Sequence, residues 1–209
     1  MQAVKPRPPS LAPEAAPRRT QRGELAHDFN NAVAIVLLNA QLVLDQLLPD
    51  HPLRAELVEM CAAAERASSL AKLLVPGSGA SIGVPAPPAP PTAPVQGGTV
   101  LVVEHDESVR GAVQRTLSAR GFRVLSARDG AEAESMARSA TAIDLVLSDL
   151  DLPGHAGAAI AQKICERHPE TRILFMSGSE QAHSEQFLQK PFTPQVLLRK
   201  VRLMLEAAP

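Results

Sequence analysis

The chain has 209 residues, 45% of them hydrophobic and 21% charged, with a net charge of −1. That apolar content suffices for one mid-sized core or two small ones, and so balanced a charge gives no general attraction to nucleic acid or anionic membranes. With no Trp or Tyr, the chain lacks the aromatic platforms on which single-stranded bases stack, and aromatic carbohydrate clefts are disfavoured as well.

The two cysteines, Cys61 and Cys165, are far apart and form no Cys-x-x-Cys pair. They read as free thiols in a reducing compartment. No apolar run reaches the roughly 18 residues that span a bilayer; the closest, Ala32 to Leu44, is interrupted by Asn39 and Gln41. Near the N-terminus, Lys5 and Arg7 are followed by prolines rather than by an apolar stretch, so no signal peptide is expected. The expectation is a soluble cytoplasmic protein with no nucleic-acid or membrane partner.

Residues 1–21 are rich in Pro and Arg and read as a disordered arm. Residues 22–75 change character. Phe29, Val33, Val36, Ala40, Val43 and Leu47 recur in steps of four and three, a heptad seam. Leu53, Leu57, Met60, Ala64, Ala67, Ala71 and Leu74 repeat it, and the Pro49 to Pro52 break separates two helices. Two such helices cannot bury their apolar faces alone, and the first is apolar nearly all round between Ala32 and Leu38. The simplest solution is a homodimer forming a four-helix bundle. Residues 76–98, with their glycines, serines and closely spaced prolines, read as a linker.

From residue 99 to 209, strands alternate with helices. Strands are expected at 99–103, 122–127, 143–148, 172–176 and 187–189, and helices at 108–120, 130–140, 156–168 and 194–206. Short, wholly apolar strands alternating with helices indicate a doubly wound parallel sheet covered on both faces. Its site lies at the C-terminal strand ends. There the chain places Glu104, His105 and Asp106 after the first strand, Asp149 after the third, Ser177 after the fourth and Lys190 after the fifth. Carboxylates that hold a hard cation, a hydroxyl and an ammonium that contact phosphate oxygens, and a carboxylate nucleophile make a phosphoryl site.

Four segments carry a family resemblance: Val100 to Arg110 (VLVVEHDESVR), Asp144 to Gly154 (DLVLSDLDLPG), Phe175 to Gly178 (FMSG) and Phe187 to Phe192 (FLQKPF). Together they resemble response-regulator receiver domains. The resemblance implies a flavodoxin-like fold of five strands and helices. It makes Asp149 the phosphoacceptor, Glu104 a metal-site acid, Ser177 the hydroxyl switch residue, Lys190 the phosphate-contacting lysine and Phe187 the aromatic switch position. It also implies Mg²⁺ as cofactor, held by Glu104 and Asp149 with Asp106 as a further acid. Two departures stand out. His105 occupies the place of a second metal-binding acid, and imidazole is a poor ligand for Mg²⁺. The interval between Ser177 and Lys190 leaves room only for a short fourth helix.

The first helix opens with Glu24 to Asn31 (ELAHDFNN). His27 lies two residues before Phe29, about 200° round the helix, so it is expected to face away from the seam and be exposed, with Asn31 on its face and Asp28 adjacent. An exposed imidazole accepts a phosphoryl group on a ring nitrogen, and a neighbouring acid orients it. With the long helix and Ala64 to Leu74, this segment resembles the dimerisation and histidine-phosphotransfer domain of sensor histidine kinases. The resemblance makes His27 the phosphorylated histidine, Asp28 its acidic partner and Asn31 a phosphatase-type residue. Between the two modules there is a linker where a complete kinase has its ATP-binding domain, so autokinase activity by this chain alone is not expected.

The expected function is two-component signalling by His–Asp phosphoryl transfer between His27 and an aspartate, either Asp149 or a partner's, with phosphatase activity as an accompaniment. Partners would be a second copy of the chain and histidine kinases or response regulators. The alternatives are a non-catalytic dimeric protein that titrates such partners, or an inactive remnant of a hybrid histidine kinase.

Overall fold

The computed structural model describes residues 21–74, 97–153, 157–178 and 186–206. The expected N-terminal arm, nearly all of the linker and the shortened fourth helix lie outside the described residues. The first described elements are helices α1 (Gln21–Gln46) and α2 (Arg54–Leu74). It continues through β1 (Thr99–Val103), α3 (Glu107–Ser118), β2 (Arg123–Ala127), α4 (Gly130–Ser139) and β3 (Leu145–Asp149). The last elements are α5 (Gly157–Arg167), β4 (Arg172–Ser177), β5 (Phe187–Gln189) and α6 (Pro194–Glu206).

The five strands are all parallel, in the order β2-β1-β3-β4-β5. Successive side chains of a strand point to opposite faces, and here both faces are apolar. Val100, Val102, Leu145 and Leu147 join Val109, Val113 and Leu117 of α3 and Leu197 and Val201 of α6. Leu101, Val103 and Val146 join Ala133 and Ala137 of α4 and Ile160 and Ile164 of α5. β1 and β3 are therefore buried on both sides, which is why they read as unbroken apolar runs. Strand order reverses direction at β1, and this opens a crevice at the C-terminal ends of β1 and β3.

Gly121 and Gly157 are among the glycines that their surroundings require. Gly121 turns the chain out of α3 with φ 86°, in the left-handed region. Gly157 starts α5 against the end of β3; a Cβ there would lie 2.2 Å from the carbonyl oxygen of Asp149. Gly157→Ala is therefore expected to destabilise the fold by about 1–3 kcal/mol, as overpacking does, and to move Asp149. Urea unfolding checks the first effect and chemical-shift changes around Asp149 the second.

The hairpin closes at its turn through Arg54. Its Nη1 donates to the carbonyls of Leu44 at 2.8 Å and Leu47 at 3.4 Å, satisfying acceptors that the end of α1 leaves without helical partners. The buried stripes differ from the expected seam. On α1, Val33, Leu37, Ala40 and Leu44 are buried, whereas Val36 is 40% and Val43 45% exposed. On α2, Ser68 is buried, with Leu57, Cys61, Ala64 and Ala71 partly so, and Met60 and Leu53 are exposed. Both stripes keep the four-three spacing in a shifted register. The apolar side chains outnumber the positions that one helix pair covers, so spacing alone did not select the stripe.

α1 also packs along α3 of the sheet unit. Leu38 is fully buried in the cluster with α3 and α6, with Ile35 beside it. Arg115 Nη2 donates to Asn39 Oδ1 at 2.8 Å, and Arg120 pairs with Asp45. Part of the apolar excess that suggested a dimer is thus covered within one chain. No described helix is long and apolar enough to cross a membrane.

Candidate functional site

Glu104, Asp149, Ser177 and Lys190 converge in the crevice because each follows or ends a neighbouring parallel strand. All four are buried. Lys190 is tied to β4 by its backbone N–H, which donates to the Ser177 carbonyl at 2.7 Å. Its Nζ donates to Glu104 Oε2 at 2.7 Å, to Asp149 Oδ2 at 3.0 Å and to Asn31 Oδ1 at 3.2 Å. An ammonium has three N–H donors, so all are used, and the third partner comes from α1.

The carboxylates are held from below by main-chain donors. Asp149 Oδ1 accepts from the N–H of Asp151 at 2.9 Å, and Glu104 Oε1 from that of Asp106 at 3.0 Å. Burial works against the charge on Glu104, but hydrogen bonds from His105 and the Lys190 ammonium hold its carboxyl at about 2. Asp149 moves the other way: burial, reinforced by the Glu104 charge, raises it against the pull of Lys190. Lys190 loses solvation on burial, but the two carboxylates outweigh this and keep its ammonium charged. The His105 imidazole is raised chiefly by its hydrogen bond to Glu104, 3.2 Å from Nδ1.

Asp106 is occupied differently from the expectation that it serves as a further metal-site acid. It is the N-cap of α3, with Oδ1 accepting from Ser108 N–H at 2.9 Å and Val109 N–H at 3.2 Å. Such a cap satisfies helix donors that otherwise lack partners. Phe187 is half-buried, its ring 5.6 Å from that of Phe175.

His27 departs most from the expectation of an exposed residue: it is only 6% exposed. It does face away from the stripe that α1 turns toward α2, but that side lies over the crevice. His27, Asn31, Ala34 and Leu38, spaced four, three and four, form a second stripe that meets the sheet unit. The His27 and His105 rings lie 5.7 Å apart, 14° from parallel. Asn31 bridges, its Nδ2 paired with His27 Nε2 at 3.1 Å while its Oδ1 accepts from Lys190. The carboxylate nearest His27 Nδ1 is that of Asp151, at 3.5 Å, whereas Asp28 is exposed. Sequence reasoning missed Asp151 and the His27–His105 contact. The second stripe was present in the sequence, but its first two members are polar and so escaped a search for apolar periodicity.

Residues 100–202 match the response regulator receiver domain family. The sensor kinase CckA of Brucella abortus is 35% identical over 118 residues, covering 52% of this chain and 12% of the kinase. An uncharacterised transcriptional regulatory protein, YbdJ of Bacillus subtilis, is 32% identical over 120 residues, covering 54% of this chain and 52% of that protein. The chain thus spans about half or less of the length of these relatives. Among solved structures, the receiver domain of the hybrid histidine kinase CckA is 36% identical and covered completely, over 52% of this chain, with a TM-score of 0.47. A parallel five-stranded sheet with the acidic crevice at its switch point, and the family match over the same residues, identify residues 100–202 of this chain as a response regulator receiver domain of two-component signal transduction.

Proposed function

We propose that the chain is a phosphorelay protein in which residues 22–75 form a histidine-phosphotransfer and dimerisation hairpin and residues 99–209 its receiver. The reaction moves a phosphoryl group between a ring nitrogen of His27 and the Asp149 carboxylate. The observation that supports this reading is the docking of α1 over the crevice, which brings donor atoms of His27 and Asp149 within 4.8 Å of each other. Positioning of this kind supplies much of the rate of phosphoryl transfer.

In the transfer, the N–P bond to His27 breaks as an O–P bond to Asp149 forms, and the reverse transfer exchanges the roles. Lys190 holds the Asp149 oxygen in place and offers its charge to the phosphoryl oxygens. Ser177, on the neighbouring strand end, offers a hydroxyl. Asn31 holds the His27 ring through Nε2 and links it to Lys190. Glu104 and Asp149 are the residues that would hold Mg²⁺, which prefers such oxygens; His105 does not fit it. When bound, Mg²⁺ supplies neutralisation of charge on the phosphoryl group.

A transfer assay tests the reading. The full chain is phosphorylated by a donor kinase or a labelled phosphoregulator and quenched in acid or base. Wild type should carry acid-labile label that is lost in His27→Gln, and Asp149→Asn should accumulate label at His27. The reading fails if label reaches Asp149 equally well in His27→Gln and no acid-labile species forms.

The exposed apolar side chains of the hairpin support the dimer. Val36 and Val43 on α1 and Met60 and Val58 on α2 are each at least two-fifths exposed in the single chain. Because two-fifths of Val36 stays exposed in the single chain, Val36→Asp should convert a dimer to a monomer and remove the concentration dependence of the thermal midpoint that a dimer shows. Light scattering at several concentrations measures this, and a monomeric wild type removes the bundle.

A further inference from the structure

We propose that Asp151 of the receiver, rather than Asp28 of the hairpin, is the acid that positions His27, holding it as the tautomer with its proton on Nδ1 and its lone pair on Nε2. The role rests on the phosphorelay reading above. A chain of hydrogen bonds assigns the proton. The Lys190 ammonium can only donate, so the Asn31 atom 3.2 Å from it is the amide oxygen. The amide nitrogen, a donor, then faces His27 Nε2 at 3.1 Å. Two donors do not pair, so Nε2 accepts and the ring proton lies on Nδ1. Asp151 Oδ2 stands 3.5 Å from that nitrogen.

A second observation points the same way. His27 is more than nine-tenths buried, yet its Nδ1 has no hydrogen-bond partner among the described residues. A buried N–H without an acceptor is costly, and a closing of roughly 0.5 Å between ring and carboxylate makes the bond. Asp151 is partly exposed. It supports Asp149 through its backbone N–H, which leaves its carboxylate for His27. Asp28 is exposed and lies about 100° round α1 from His27. Lys190 and Asp151 both belong to the sheet unit, so it is the docking of α1 that sets the tautomer.

In transfer from Asp149, the Asn31 N–H gives up Nε2, whose lone pair forms the N–P bond as the O–P bond breaks. The electron pair of that bond stays on the Asp149 oxygen. The ring keeps its Nδ1 proton and takes on positive charge, which the Asp151 carboxylate balances. In the reverse transfer the N–P pair returns to Nε2 and the ring is neutral again.

The test reads the ring directly, by nuclear magnetic resonance of the full chain with isotope-labelled histidine at mildly alkaline pH, where an imidazole is neutral. The signals lost in His27→Gln identify the residue. His27 should show an unprotonated Nε2 and a protonated Nδ1, and Asp151→Ala should move the Nδ1 proton upfield and speed its exchange with water. After Asp149 is loaded from a small phosphodonor, the appearance of acid-labile label at His27 should slow at least about tenfold in Asp151→Ala, as when the acid that orients a catalytic histidine is removed. Asp151→Glu, which keeps the carboxylate, should recover most of that rate, and Asp28→Ala should change neither the signals nor the rate. A His27 protonated on Nε2, an Nδ1 proton indifferent to Asp151→Ala, or transfer slowed by Asp28→Ala and not by Asp151→Ala overturns the assignment. The ring signals need no phosphoryl transfer, so a chain that shows them and transfers nothing overturns the phosphorelay reading alone.

Discussion

Lys190→Met is expected to remove about 3–5 kcal/mol of stability at neutral pH, the usual cost of breaking a buried ion pair from one side. Lys190, Glu104 and Asp149 are all fully buried, and the ammonium contacts both carboxylates, as does the His105 Nδ1 at 3.2 Å from Glu104 and 3.8 Å from Asp149. Without the ammonium, two carboxylates face each other out of water beside the partly exposed His105 imidazole, and Asp149, already raised by burial, binds its proton more readily still. Stability of the variant should therefore rise as pH falls through the carboxylate range. In wild type, Glu104 works in the opposite sense. Held at about 2, below its ordinary 4.5, it contributes stability that is complete above that ordinary value and lost as pH falls toward 2. Urea unfolding of wild type and variant at several pH values measures the difference. Adding Glu104→Gln to Lys190→Met should restore part of the loss, because one stranded charge is gone. If the single variant loses under 1 kcal/mol at neutral pH, water reaches the crevice and the site is not sealed as described.

His105→Asp is expected to increase Mg²⁺ affinity by roughly tenfold or more, since a carboxylate supplies both the charge and the oxygen that a hard dication requires. Two structural features underlie the expectation that the wild-type crevice binds Mg²⁺ weakly. His105 directs an imidazole nitrogen at Glu104, 3.2 Å away, and one oxygen of the neighbouring acid Asp106 caps α3. The variant should also take up beryllofluoride or a phosphodonor faster, because the phosphoryl oxygens then meet a filled cation site. The chain has no Trp, so a single Trp introduced near the crevice reports Mg²⁺ by quenching. Equal affinity in wild type and variant would mean that Asp106 leaves its cap to bind the metal.

The sequence by itself determined the receiver. Its central strands β1 and β3 are apolar on both faces, its breaks are marked by Gly121 and Pro169, and its polar residues stand at the strand ends, so Glu104, Asp149, Ser177 and Lys190 could be placed before any coordinates. Closing helix α6 spans the very residues expected, because Pro194 at its start is a strong local signal. Such features are legible because each is set by neighbours within a few residues along the chain.

Only the tertiary structure decided which face of α1 goes where. The helix is apolar nearly all round, and periodicity cannot choose among three competent stripes. The choice fell to the surfaces they meet: α2 covers one, α3 and the crevice cover the stripe of His27, Asn31 and Leu38, and Val36 and Val43 are left exposed. The same docking buried a histidine expected in solvent, made Asn31 the third partner of Lys190 and set His27 beside His105. These contacts join residues more than seventy positions apart, where no local pattern records the partner.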